Sequence, residues 1–201
     1  MAAGGRSGWP EGVAGLICDT VQRPICIRRR VLAGLAGCGA AFLAGAPVAQ
    51  AALTPVRMLS FHSLHTGESL DAAYWRAGRY QPEALSAIDH HLRDFRTGEV
   101  HIIDVRLLDL LHALNGLLPN PAPLHVISGY RSPATNAMLA ARSGNVAKKS
   151  YHMYGMAIDV RVPGCPLKRL RSAALELACG GVGYYPRDDF VHLDVGPVRA
   201  W

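Results

Sequence analysis

Ser150-Tyr151-His152-Met153-Tyr154-Gly155-Met156-Ala157-Ile158-Asp159 and, thirty residues further on, Asp189-Phe190-Val191-His192-Leu193-Asp194 are the stretches that decide how this chain folds. If residues 152 and 159 shared one helix they would stand about 10.5 Å apart along its axis, too far to share an ion whose bonds are about 2.0–2.2 Å. Gly155 permits a turn that folds His152 back over the segment after it. Met156–Val162 then reads as a strand, with Ile158 and Val160 directed toward a core and Asp159 on the opposite face. Phe190–Val195 repeats the pattern, with Val191 and Leu193 inward and His192 and Asp194 together on the other face. Two adjacent strands can therefore each bring one ligand to a common face, with His152 arriving from a loop. Two imidazoles and one carboxylate suit a zinc ion that keeps a fourth position open for water, which separates a catalytic site from a structural one.

Outward from these stretches, the rest of the chain reads as helices followed by strands. Val56–His65 and Ser69–Trp75 flank Thr66-Gly67-Glu68 and predict a hairpin. Leu85, Ile88, Leu92 and Phe95 recur at helical spacing behind Pro82, predicting a helix over 82–95. Leu107, Leu108, Leu111 and Leu114 do the same over 104–118, with Asp104 as its N-cap and Pro119-Asn120-Pro121 as its stop. Leu124–Ser128 is a short strand that runs into Gly129-Tyr130-Arg131. A helix covers 134–141, residues 142–149 form a basic loop, and a further helix spans 166–178. Val182–Tyr185 and Phe190–Val195 make a terminal strand pair. The fold class is α+β, with a small antiparallel sheet carrying the metal site and several helices packed against it.

The first 51 residues belong to targeting rather than to the fold. Arg28-Arg29-Arg30 precedes a Gly/Ala-rich apolar run and the small-residue site Ala49-Gln50-Ala51, the order of a secretory signal cut after Ala51. The paired arginines read as a twin-arginine export signal. Leu35-Ala36-Gly37-Cys38 offers a competing lipoprotein box, but a lipid anchor at Cys38 is not expected, because cleavage there leaves Ala40–Ala46 exposed. Residues 52–201 then form a single domain of 150 residues. The whole chain carries net charge +6, whereas residues 52–201 hold 16 Lys+Arg and 13 Asp+Glu, a net +3. That balance gives no reason to expect nucleic-acid binding. Of the cysteines after Ala51, Cys165 and Cys179 bracket a helix and stand roughly 20 Å apart, beyond disulfide reach, so two free thiols are expected.

Ser128-Gly129-Tyr130-Arg131-Ser132, the Ser150-x-His152-x-x-Gly155-x-Ala157-x-Asp159 pattern and Asp189-x-x-His192 resemble the zinc D-Ala-D-Ala peptidases and murein endopeptidases, a group that also takes in lysostaphin-type enzymes and Hedgehog domains. The run from Gly183-Tyr184-Tyr185-Pro186 through Phe190–Val195 to Gly196-Pro197-Val198-Arg199-x-Trp201 is similar to the YcbK-type (MepK-like) branch. The resemblance covers nearly all of the chain after Ala52. It implies a zinc-dependent murein endopeptidase that hydrolyses peptide cross-links of peptidoglycan with a metal-bound water as nucleophile. It further implies zinc on His152, Asp159 and His192, a general base at Asp189 and a substrate-positioning arginine at Arg131, with Ser150 in support. Many relatives carry glutamate where Asp189 stands, and Asp194 shares the metal face, so Asp194 is the rival for base or for a residue that holds a ligand. A D-Ala-D-Ala carboxypeptidase and a non-catalytic zinc-containing cell-wall-binding module are the alternative readings. The implied setting is the periplasm, with peptidoglycan stem peptides as partner, no stable membrane span, and a monomer.

Overall fold

A computed structural model describes residues 55–119, 122–142, 147 and 149–201. The expected signal segment and Cys38 lie outside the described residues. Eight strands form one sheet: β1 (Val56–Ser63), β2 (Ser69–Arg76), β3 (Arg79–Tyr80), β4 (Leu124–Ser128), β5 (Ala157–Arg161), β6 (Gly181–Tyr185), β7 (Phe190–Asp194) and β8 (Arg199–Ala200). Their order is β3-β2-β1-β4-β5-β7-β6-β8. Four helices accompany them: α1 (Pro82–His91), α2 (Val105–Leu117), α3 (Pro133–Arg142) and α4 (Leu167–Leu177). The α+β class is as expected. The sheet, however, is neither small nor purely antiparallel, because β1 pairs parallel with β4 and β6 pairs parallel with β8. The physical reason is the long crossover through α1 and α2, which returns the chain beside β1 in the same direction. Alternation within each strand carries no information about that pairing. β3 and β8 are two residues each, too short to show any period.

Strand alternation places Leu59, Phe61, Tyr74, Leu124, Val126, Ile158, Val160, Val191 and Leu193 in one buried core. α1 packs on β2, α2 on β1 and α4, and α4 on β6 and β7, so helices cover this face. The opposite face of β4 and β5 carries His125, Asp159 and Arg161, and this is the face on which the site is built. α2 begins as expected, with the Asp104 side chain accepting from the Arg106 amide.

The first helix stops at His91 rather than continuing to Phe95. The Leu92 carbonyl instead accepts from the Tyr130 amide at 2.7 Å. Gly129 permits this approach, since a Cβ there would lie 2.5 Å from the Leu92 oxygen. Asp94 fixes the exit. Its buried carboxylate accepts from the Arg96 amide and from the Ser132 amide, each at 2.9 Å, tying the end of α1 to the residue after Arg131. Burial alone would raise the pKa of Asp94, but hydrogen bonds from Thr135, Ser132 and Arg96 overcome it and hold it at about 2, below the ordinary 3.8. A depressed carboxylate pKa contributes stability that is present above the ordinary value and lost as pH falls toward the folded one. Asp94→Asn is therefore expected to cost roughly 2 kcal/mol at pH 7. Urea unfolding at pH 7 and at pH 2.5 should show the gap to wild type closing at the lower pH.

Cys165 is a free thiol, half-buried, as expected.

Candidate metal centre

His152 sits in a 3-10 turn, Tyr151–Tyr154, whose first amides are capped by Ser150 and which ends on Gly155 at φ +64°. Gly155 is required twice over. Its backbone is left-handed, and a Cβ there would lie 2.2 Å from the Ile102 carbonyl oxygen. The Gly155 carbonyl in turn accepts from the Asp104 amide at 3.0 Å, so the turn is anchored to the start of α2. Asp159 and His192 are direct cross-strand partners on β5 and β7. All three residues are buried.

The three side chains converge. His192 Nδ1 is 2.8 Å from Asp159 Oδ1, His152 Nε2 is 3.3 Å from the same oxygen, and the two ring nitrogens are 3.2 Å apart. Tetrahedral bonds of about 2.0–2.2 Å put neighbouring ligand atoms roughly 3.3–3.6 Å apart, close to this spacing. The remaining ring nitrogens are committed elsewhere. His152 Nδ1 lies 2.7 Å from the Gly129 carbonyl oxygen, which can only accept, so Nδ1 carries the hydrogen and Nε2 faces the centre. His192 Nε2 lies 3.1 Å from Asp194 Oδ2, which leaves Nδ1 facing the centre. Such outer partners fix ring orientation in metal sites. Burial lowers the pKa of His152. Burial also opposes a charge on His192, but the Asp159 and Asp194 carboxylates overcome it and lift its pKa to about 9. Asp159 stays ionised despite its burial, because the two imidazoles hold it far below the ordinary range. The donor set and its spacing fit a tetrahedral divalent ion.

Arg131 follows the end of β4 and lies against this set. Its amide donates to the His152 carbonyl at 3.2 Å, and Nη2 approaches Asp159 Oδ2 and Ser128 Oγ at 3.5 and 3.4 Å. The side chain is only 11% exposed. Its buried Nε has no hydrogen-bond partner among the described residues. Asp194 is fully buried. Its carboxylate is taken up by His192, by both Arg199 terminal nitrogens at 2.6 and 3.1 Å, and by the Gly181 and Gly196 amides. Asp189 differs in every respect. It occupies the β6–β7 turn at φ +55°, its side chain is 60% exposed, and Oδ2 meets Arg161 Nη1 at 2.7 Å. Strict alternation from His192 would aim Asp189 away from the metal face. The left-handed turn breaks that alternation and lets Asp189 reach Arg161, which shares the face of Asp159.

Residues 51–201 match the family described as Peptidoglycan L,D-endopeptidase MepK. The peptidoglycan L,D-endopeptidase MepK of Escherichia coli (strain K12) is 46% identical over 175 residues, which is 87% of this chain and 96% of that protein. The chain belongs to the MepK family of peptidases. A probable peptidoglycan L,D-endopeptidase MepK from Haemophilus influenzae is 41% identical over 164 residues, 81% of this chain and 88% of its own length.

In this member of the MepK family, tertiary structure adds a wall that strand reading missed. β8 runs beside β6 and brings Trp201 against His192, with ring centroids 5.3 Å apart. Gly183, the cross-strand neighbour of His192, makes room for it, since a Cβ there would lie 2.8 Å from the Trp201 ring. Trp201 Nε1 donates to the Tyr185 hydroxyl at 2.8 Å. The only sequence signal for this wall was the resemblance of Arg199-x-Trp201 to relatives. The Gly129 carbonyl, partner of His152, had no signal at all. No helix among the described residues is long and apolar enough to cross a membrane.

Proposed function

We propose that this chain is a zinc-dependent endopeptidase that cuts L,D peptide bonds in the cross-links of peptidoglycan. It acts as a periplasmic monomer after export on the twin-arginine signal of residues 1–51. The observation that carries the reading is the convergence of His152 Nε2, Asp159 Oδ1 and His192 Nδ1, each histidine held by its other nitrogen, in a chain of the MepK family. Zinc held there supplies a Lewis acid and brings the pKa of water from 15.7 toward about 7.

The chain's own residues do the rest. Asp189 is the general base: a solvent-facing carboxylate takes the proton as water attacks the amide carbon and returns it to the leaving nitrogen. Arg131 is the substrate-positioning residue: its guanidinium, 3.5 Å from Asp159 Oδ2, puts a positive charge beside the metal ligands, where the scissile oxygen develops charge. Asp194 holds the His192 ring. With every lone-pair direction occupied, it is an orienting group and not the proton carrier. Ser150 caps the turn that presents His152.

Digestion of purified cross-linked muropeptides, followed by mass spectrometry, tests the proposal. Dimers are expected to fall to monomers, cleavage to stop with a chelator, and zinc to restore it. Zinc-loaded protein that leaves every dimer intact sinks the endopeptidase reading. Release of terminal D-alanine alone transfers the chain to the carboxypeptidases.

A further inference from the structure

A second set of polar side chains lies on the site face of the sheet, beyond the three converging ligands. His62 on β1, His125 on β4 and Arg161 on β5 are successive cross-strand neighbours. The His62 and His125 rings are 5.0 Å apart. Arg161 lies two residues beyond Asp159 on the same face of β5, hence about 6.6 Å along the strand. A groove of about 290 Å³ opens there, with His125, Arg161 and Asp189 as its polar lining and Val162, Pro163 and Leu167 among its apolar lining. Arg161 gives Nη1 to Asp189 at 2.7 Å and its side chain is 40% exposed. The rest of its fork and the whole His125 ring make no hydrogen bond to the described residues. An exposed pair such as Arg161–Asp189 is weak, so a second carboxylate can share the guanidinium. A guanidinium with an open edge, an imidazole beside it and an aliphatic wall suit a carboxylate carried on an aliphatic stem.

We infer that this groove is a subsite for a free carboxylate of the peptide substrate, with Arg161 as its charged anchor and His125 as its second donor. The inference takes its substrate class from the peptidoglycan reading above. An extended peptide advances about 3.3–3.6 Å per residue, so a chain running along β5 from the metal ligands reaches Arg161 two residues on. The subsite therefore reads a carboxylate about two residues from the bond that is cut.

The test is calorimetric titration of the intact protein with an un-cross-linked tripeptide stem, which has no cross-link to cut. One sample carries free carboxylates, and in the other they are converted to amides. Amidation is expected to weaken binding to wild type at least tenfold. Arg161→Gln should bind both peptides equally, as weakly as wild type binds the amide, and His125→Gln should lose part of the preference. The titration is independent of turnover. A carboxylate preference in a protein that cleaves no dimer thus supports the subsite while removing the endopeptidase reading. Amidation that changes wild-type affinity less than twofold, or an Arg161→Gln protein that keeps the tenfold preference, overturns the subsite.

Discussion

Asp159→Asn is expected to give a folded protein that holds less than a tenth of the wild-type zinc and has lost on the order of 10³ or more in kcat/KM, about 4 kcal/mol of barrier. Asparagine keeps the size of the side chain and one acceptor oxygen. What disappears is the negative charge that faces His152 at 3.3 Å, His192 at 2.8 Å and Arg131 at 3.5 Å. A neutral amide cannot offset the charge of a divalent ion at so buried a position. The loss should exceed the 10–100-fold effect typical of outer partners of metal ligands. Zinc content by atomic absorption and dimer turnover by mass spectrometry read the two effects separately. An Asp159→Asn protein that retains zinc and activity would show that the three converging atoms are a buried polar cluster and not a metal centre.

The second large effect separates the two aspartates. At matched zinc occupancy, Asp189→Asn is expected to lower kcat by about 10²–10⁴, the range of a general base, with zinc affinity unchanged. Asparagine is the informative replacement because it tolerates the left-handed backbone at φ +55°, whereas alanine would add strain to the loss of the carboxylate. Asp194→Asn should do the reverse. It weakens zinc binding by about 10–100-fold through its hold on the His192 ring, and activity returns when zinc is raised. The physical contrast behind this split is already in the geometry. One carboxylate is exposed and bound to a single arginine, while the other is buried with five donors around it. A full-speed Asp189→Asn enzyme beside an Asp194→Asn enzyme that stays slow in excess zinc would reverse the two roles.

Local order is legible in the chain because it depends on neighbours in sequence. The period-2 alternation around Asp159 and His192 puts each opposite its apolar flanks. The helical spacing of Leu107, Leu108, Leu111 and Leu114 marks α2, and Gly155 marks the turn that separates His152 from β5. Departures arise where a distant partner takes a backbone group. α1 ends early because Tyr130 takes the Leu92 carbonyl and Asp94 takes the Ser132 amide, and nothing within residues 82–95 announces either bond.

For this protein the sequence alone put Asp159 and His192 on one polar face, because a strand returns a side chain to the same side every two residues, and let Gly155 bring the His152 turn over them. Arg131 followed only from the resemblance to the family. Only the tertiary structure decided the pairing of β1 with β4, the placement of Trp201 over His192, and the opposite surroundings of Asp189 and Asp194. Those depend on which strands meet and on a single left-handed residue in a turn. Alternation assigns a side chain to a face, but its partners and its exposure come from the chain that folds against that face.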